Sequence, residues 1–378
     1  MKSIRVLNVL GGVFRFGGTE AVIMNYYRHV DRSKVQFDFV VHGFEKGVYD
    51  DEIAKLGGKI YNIPIKSVDY LGNVKALKTI FNTGEYKIVH SHMDAMSMVV
   101  LKIAKKCGVP VRIAHSHNTS HQTTNKLQFA LHEHARKNIT KYATHLFACS
   151  EFAGKWLFGE DVVNKDNFCV VKNAIDFERF CFNDENRAQI RTELNIQDNF
   201  VIGHIGRFSE QKNHMFLLDI FHELLKLKPG AKLLLVGDGH LKTQIEERIR
   251  ELNISSNVLL LGLRSDTHDI INAFDVFLLP SLFEGLPVVL TETQANGLQC
   301  FVSDSITKEV DLLGNMTYLP LDDPPAKWAE IISESYGNKA NQSRTIPKET
   351  FAKTGYEINT AAKDLQEFYL DVLKEQKI

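Results

Sequence analysis

Two glutamates eight residues apart, Glu284 and Glu292, lie in the stretch PSLFEGLPVVLTETQANG at 280–297. An apolar strand precedes this stretch, glycine and proline punctuate the turn, and Pro287 is expected to open a helix at its first position, where a missing N–H costs nothing. The amides of Gly285 and its neighbours would then face outward with the positive helix end, which suits a phosphate. If the eight residues were wholly helical they would span roughly 12 Å, so Glu292 could accept from a second part of the same ligand. In the earlier loop RFSEQKN, Arg207 and Lys212 stand five positions apart. There a planar guanidinium and a point charge can clamp a diphosphate and neutralise it as it departs. A ligand with hydroxyls at both ends and phosphates between them fits, and a nucleotide-sugar has that layout.

Two further clusters lie in the first half of the chain. The loop GGVFRFGGTE offers Gly11, Gly12, Gly17 and Gly18, where the chain can turn tightly and bring amides to a phosphate. The G-x-G-x-x-G spacing of a dinucleotide fingerprint is absent. The strand VRIA runs into HSHNTSH, which places His115, His117 and His121 in a βα loop. A zinc site is the competing reading, with His132 and His134 following. Those two are two apart and cannot share one helix face, and no carboxylate or thiolate stands at coordinating spacing. No Asp-x-Asp occurs in the chain, so a divalent metal bridging phosphates is not expected, and no metal or other cofactor is.

The elements that must position these groups follow from periodicity. Short apolar runs (IRVLNVL, QFDFVVHG, KIYNIPI, YKIVHSH, VRIAHSH, HLFACS) alternate with amphipathic segments, the pattern of a parallel, doubly wound sheet. Around FCVVKNAIDFERF the pattern pauses, with the domain boundary expected near Asn173 to Arg187, and after a polar stretch it restarts with FVIGHIGRF, AKLLLVGDG, NVLLLG, VFLLP and QCFVSD. Two such domains suit 378 residues, of which 44% are hydrophobic and 24% charged. Open α/β sheets bind ligands at the carboxyl ends of their strands, and a cleft between two of them is expected. The net charge of −1 divides unevenly. Residues 1–172 carry 24 basic against 15 acidic side chains, a balance of +9, and residues 173–378 carry 21 against 31, or −10. Lys102, Lys105 and Lys106 together with Arg136, Lys137 and Lys141 could meet an anionic leaflet or form a solvated helix face. No run of about 18 apolar residues appears, and the opening MKSIRVLNVLGG reads as a first strand rather than a secretion signal. Five scattered cysteines without a CxxC pair read as reduced thiols of a cytosol.

Together these residues resemble the retaining family-4 glycosyltransferases of the GT-B fold. The family's Glu-x7-Glu signature is matched by Glu284 and Glu292, its G-R-x-x-x-x-K loop by Gly206, Arg207 and Lys212, and its V-G-x-G turn by Val236, Gly237 and Gly239. The resemblance implies an α/β chain of two doubly wound Rossmann-like domains: 1–175 on the acceptor side, 176–352 for the nucleotide-sugar, and 353–378 as a helix crossing back. It implies Arg207 and Lys212 on the donor diphosphate, Glu292 on the ribose and Glu284 on the transferred sugar. Backbone amides at Gly285, Leu286, Val288 and Val289 would line phosphate and sugar. The turn Gly262, Leu263, Arg264 would hold the base, and Gly17 and Gly18 would lie near phosphates and acceptor. A histidine just after the fifth strand would lie near the sugar, either His115 or His117. The hinge motif N-G-I/V-D reads Asn173, Ala174, Ile175, Asp176, with alanine in place of glycine. The implied function is metal-independent, retaining transfer from a UDP-sugar or another nucleotide-sugar to a lipid-linked glycan of a cell-surface or capsular polysaccharide. It would be carried out by a cytoplasmic enzyme in peripheral contact with the anionic membrane, without a nucleic-acid partner. Alternatives are a sugar phosphorylase or nucleotide-sugar epimerase of the same fold, and a non-catalytic partner subunit.

Overall fold

The computed structural model describes residues 3–120, 125–339 and 344–375, with side chains described except at 336–339. The chain forms two compact units, Met1–Ala174 with Ile358–Ile378, and Ile175–Glu357.

The six apolar runs of the first unit form parallel strands β1 (Ile4–Val9), β2 (Val35–His42), β3 (Ile60–Ile63), β4 (Ile88–Ser91), β5 (Val111–Ser116) and β6 (His145–Ala148), and a seventh, β7 (Phe168–Val170), forms where a pause in the pattern is expected. Their spatial order is β3-β2-β1-β4-β5-β6-β7, and the strand order reverses beside β1, where such sheets bind ligands. Every residue of β2 is buried, as a central strand covered on both faces requires. Asp38 within it is tolerated because the Arg5 guanidinium, the Tyr86 hydroxyl at 2.8 Å and the Lys59 amide at 2.7 Å all donate to it. Helices start where a short polar side chain caps free amides: Asp69 accepts from Gly72, Asn125 from Leu127 and Gln128, and Ser150 from Ala153.

The second unit holds six parallel strands: β8 (Val201–Ile205), β9 (Lys232–Val236), β10 (Val258–Gly262), β11 (Val276–Leu279), β12 (Gln299–Ser303) and β13 (Met316–Leu319). Their order is β10-β9-β8-β11-β12-β13, with the reversal beside β8. A core built on Leu217, Phe221, Leu233, Leu235, Trp328 and Ile332 fills one face of this sheet.

The closing helix Ile358–Glu375 belongs to the first unit. Gln366 there accepts from the Asp31 amide at 2.7 Å, and Phe368 and Tyr369 pack edge-on against Phe147 and Phe37. The five residues 353–357 lie with the second unit instead. Ala174 keeps a negative φ, since the non-glycine residues with positive φ among those described are Asp94, Asn195, Asn213 and Asn253. Alanine therefore suffices at this hinge position.

Candidate functional site

In the second unit, β8 and β11 are neighbours and their carboxyl-end loops carry the acidic and basic candidates. Lys212 Nζ donates to Glu284 Oε1 at 2.6 Å, and Glu284 is only 8% exposed. Gln211, which the sequence reading passed over, fixes this loop. Its amide nitrogen donates to Phe283 O at 3.0 Å and to Glu284 Oε2 at 3.2 Å, and its own carbonyl accepts from the Leu282 amide at 2.8 Å. The adjacent Q-K in the loop was the available signal. Lys212 and Glu284 thus satisfy one another, whereas Arg207 is exposed with no ion-pair partner among the described residues.

The helix after Glu284 is Val288–Ala295, and Pro287 is its N-cap with ψ 113°. This corrects the expectation that Pro287 is the first helical residue. The segment from Glu284 to Pro287 is not helical, so the two glutamates are not joined by a continuous helix. Gly285, Leu286 and Val288 are buried, and Val289 is half-buried.

Glu292 lies in the second turn of that helix. No hydrogen bond holds its carboxyl among the described residues, and burial pushes it up to about 7, opposed by the charge of Arg179. A carboxyl kept free of protein partners is suited to accept from ligand hydroxyls. If it does so as the anion, UDP binding is expected to weaken as pH falls from 8 to 6, and Glu292→Gln to flatten that dependence. Calorimetric titration at three pH values measures it, and a wild-type affinity constant across the range would remove this role.

Gly237 and Gly239 have a packing reason. A Cβ on Gly237, whose φ is +146°, would strike Gly206 O, and one on Gly239 would strike Phe208 O. The loops after β8 and β9 are laced by Gly206 N–H to Val236 O and Phe208 N–H to Asp238 O, each at 3.0 Å. These glycines set the height of the Arg207 loop. Arg264 donates to both oxygens of Asp266 at 2.8 and 2.6 Å, so its side chain is occupied and the turn offers backbone and the exposed Leu263.

In the first unit, Gly17 is the N-cap of the helix Gly18–His29, with Glu20 in its first turn and packed against Gly17. His115 is the penultimate residue of β5 and His117 follows the strand, and the structure joins both to two histidines the sequence reading did not single out, His90 of β4 and His92 just after it. His90 Nε2 and His115 Nδ1 lie 3.0 Å apart, and His92 Nδ1 and His117 Nε2 lie 2.9 Å apart. The His90 and His92 rings stack at 4.1 Å, and those of His115 and His117 at 4.0 Å. The signal was there in the twin endings VHSH and AHSH: alternate residues of a strand share a face, so adjacent strands stack two pairs of imidazoles. Burial, aided by neighbouring imidazoles, holds His90, His92 and His115 well below the ordinary histidine range, and burial brings His117 to about 4 against the raising effect of Asp94. Nitrogens of His90, His92 and His115 lie within 4.8 Å of one another, close enough to gather a cation. His90 is joined ring to ring with His115, and His92 with His117, an arrangement in which the imidazoles share protons. His132 and His134 lie on the helix Lys126–Asn138 outside this stack, and His121 falls outside the described residues.

Two family models match the chain: Glycosyltransferase Family 4 over residues 16–179, and Glycosyl transferases group 1 over residues 186–316. A putative glycosyltransferase of Bacillus subtilis, EpsF, is 41% identical over 363 residues, covering 93% of each chain. The chain belongs to the family-4, group-1 glycosyltransferases. A galactosyltransferase of Escherichia coli whose name gives UDP-Gal as donor and an α-D-GlcNAc-diphosphoundecaprenol acceptor is 27% identical over 63% of this chain and 64% of its own. Among solved structures, Anabaena HepE in complex with UDP and glucose superposes with a TM-score of 0.78 at 18% identity, covering 97% of this chain and 99% of its own, and shares the GT-B fold. The glycosyltransferase reading therefore holds over the phosphorylase, epimerase and non-catalytic alternatives.

Proposed function

We propose that this glycosyltransferase moves a sugar from a UDP-sugar, with retained anomeric configuration, to a lipid-linked glycan during assembly of a cell-surface polysaccharide. The observation that carries the reading is the pairing of Lys212 with the buried Glu284, on the same loop as Arg207, which has no ion-pair partner among the described residues. A diphosphate entering between the two cations would draw Lys212 away from Glu284, and the carboxylate would be released toward the sugar hydroxyls. Glu292 would take the ribose, the first-turn amides after Pro287 the phosphate, and the Gly262–Leu263 turn the base. Gly17, Gly18 and one of the two histidines would serve the phosphates and the sugar from the first unit. The carbon–oxygen bond to the leaving phosphate breaks as the acceptor oxygen bonds to the same face, and the phosphate oxygen takes the acceptor's proton. This needs no nucleophile and acid carboxylate pair, and charge neutralisation by Arg207, Lys212 and the helix end replaces a metal. The named donor and acceptor of the galactosyltransferase relative support this chemistry.

No helix among the described residues is long and apolar enough to cross a membrane. Lys102 and Lys105 gather over the Tyr142 ring at 5.7 and 5.8 Å, and Lys105 reaches the Lys141 carbonyl at 3.1 Å. This basic cluster lies at the amino-terminal edge of the first sheet, and we assign it to an anionic leaflet at the cytoplasmic face. One experiment covers these readings: incubate the protein with a panel of UDP-sugars and a polyprenyl-diphosphate-linked acceptor, with and without EDTA and anionic vesicles. The product should keep the donor's anomeric configuration, form equally in EDTA, and show vesicle binding that weakens toward physiological salt. An inverted product, loss of activity in EDTA, or salt-insensitive vesicle binding each overturns the corresponding part.

A further inference from the structure

The four imidazoles form two separate hydrogen-bonded files, and only one of them has an open end. In the first, the Tyr369 hydroxyl lies 2.7 Å from His90 Nδ1, His90 Nε2 meets His115 Nδ1, and the file stops at His115 Nε2, which is buried without a hydrogen-bond partner. In the second, His92 Nε2 lies 3.1 Å from Asn8 Oδ1 and His92 Nδ1 meets His117 Nε2 at 2.9 Å, which leaves His117 Nδ1 at the end of the file. This nitrogen has no hydrogen-bond partner among the described residues and is not among the buried unpaired atoms. The second file crosses the carboxyl ends of three adjacent strands, from Asn8 in β1 past β4 to the loop after β5. Asn8 and His90 are partners in the sheet register.

The direction of the protons follows from the anchor. Asn8 turns its amide oxygen to His92 and leaves its own Nδ2 buried without a hydrogen-bond partner. The opposite amide orientation would reverse the file; in this one the oxygen only accepts, so His92 Nε2 carries the hydrogen and its Nδ1 is a lone pair. His117 must then donate from Nε2, which leaves Nδ1 as an acceptor. The loop is clamped independently: the Asp94 carboxylate accepts from the His117 amide and from the Asn118 side chain, each at 2.7 Å. Asp94 does this from a left-handed backbone with φ +44°, a conformation of uncommon cost for a non-glycine residue.

We infer that Asn8 and His92 are positioning residues that fix the ring plane and tautomer of His117, so that its Nδ1 lone pair meets a hydroxyl of a bound sugar. The inference rests on the transferase reading for the identity of that hydroxyl, which belongs either to the transferred sugar or to the acceptor glycan. It also separates the two histidines that the sequence left level, since His115 has no open nitrogen. The groups facing this file are His90 and His115 in the stack, with Tyr369 behind His90, and Asp94 beside the His117 backbone. Of these only Asp94 is charged at neutral pH, and the imidazoles stay neutral because they are buried. The acceptor is therefore available from pH 8 down to about 5.

The direct test needs no substrate. Nitrogen-15 NMR of the histidine rings in the intact protein should show His92 and His117 both protonated at Nε2, and a hydrogen on His117 Nδ1 overturns the inference. With UDP-sugar and acceptor, Asn8→Ala should lower kcat by about threefold to tenfold, the worth of one neutral hydrogen bond. Donor KM should change little. The double variant Asn8→Ala/His117→Ala should be no slower than His117→Ala, because the two act as one unit. Asn8→Asp keeps an obligate acceptor, so it should retain wild-type activity at pH 8. Its carboxylate stabilises a protonated imidazole pair, so its activity should fall in acid at a pH about one unit higher than wild type. Deoxy donors and deoxy acceptors locate the hydroxyl, because the cost of His117→Ala should vanish for one of them. A cost that survives every deoxygenation, additive losses in the double variant, or superimposable pH profiles for wild type and Asn8→Asp each defeat the assignment. Absence of any sugar transfer would defeat the transferase reading and leave the tautomer result standing.

Discussion

Glu284→Gln is expected to lower kcat by about 100-fold to 1000-fold while UDP affinity stays level or tightens. The first half follows from charge. A carboxylate holding sugar hydroxyls makes charge-assisted hydrogen bonds worth about 1.5–3 kcal/mol each, and the amide keeps the shape but loses the charge. The second half follows from Lys212, whose ammonium is held by Glu284 and would have to pass to the incoming diphosphate. Removing the carboxylate's charge removes the competitor, so the phosphates meet a freer cation. Gln211 keeps its contact to Phe283 O, so the loop should hold and the variant melt near wild type. Turnover within threefold of wild type would take Glu284 out of the reaction. A tenfold loss of UDP affinity would make it a nucleotide ligand or a scaffold residue instead. Arg207→Ala should behave in the opposite way: the exposed guanidinium has no ion-pair partner among the described residues to release, so UDP binding weakens and stability is unchanged.

Acid should destabilise the protein well above the pH at which carboxylates protonate. His90, His92, His115 and His117 are held below the ordinary value of about 6.5, and so are His204 and His214 in the second unit, His214 at about 4. For each, burial is the leading cause. The folded-state value is depressed, so below pH 6.5 the unfolded chain binds protons that the folded chain refuses, and stability is lost as pH falls from about 6.5 toward 4. At pH 5 an imidazole that stays neutral costs about 2 kcal/mol. The stack alone therefore removes several kcal/mol, a large part of the whole stability of a typical domain. Thermal unfolding followed at pH 7.5 and pH 5.0 should show a fall of more than about 10 °C, reduced by His90→Gln. Midpoints within about 2 °C of each other would mean that the stack is already protonated or hydrated in the folded state.

Much of the fold was readable before the structure. Of the thirteen strands among the described residues, eleven arise on the apolar runs that the sequence displays, because strand boundaries are local matters of burial and turn chemistry, whereas the short β7 and β13 were not singled out. The loop of Arg207 and Lys212 and the turn of Glu284 were legible for the same reason, since spacing along a chain fixes which end of a strand a residue occupies. The helix boundary at Pro287 was misjudged by one residue, a choice between N-cap and first turn that composition alone does not make.

Pairing across strands was not legible. His90 and His92 lie 25 residues from His115 and His117, and nothing in either segment states that β4 and β5 are neighbours. The Glu284–Lys212 pair spans 72 residues and Gln211 to Glu284 spans 73, distances over which sequence records only that the groups exist. The sequence by itself determined the residue types, the two sheets and the family's chemistry, because these rest on short-range periodicity and motif spacing. Only the tertiary structure decided which charges neutralise one another, which imidazole has an open nitrogen and which carboxyl stays unpartnered. Those depend on burial and on contacts between distant segments, and burial is what turns an ordinary side chain into one with an altered affinity for protons.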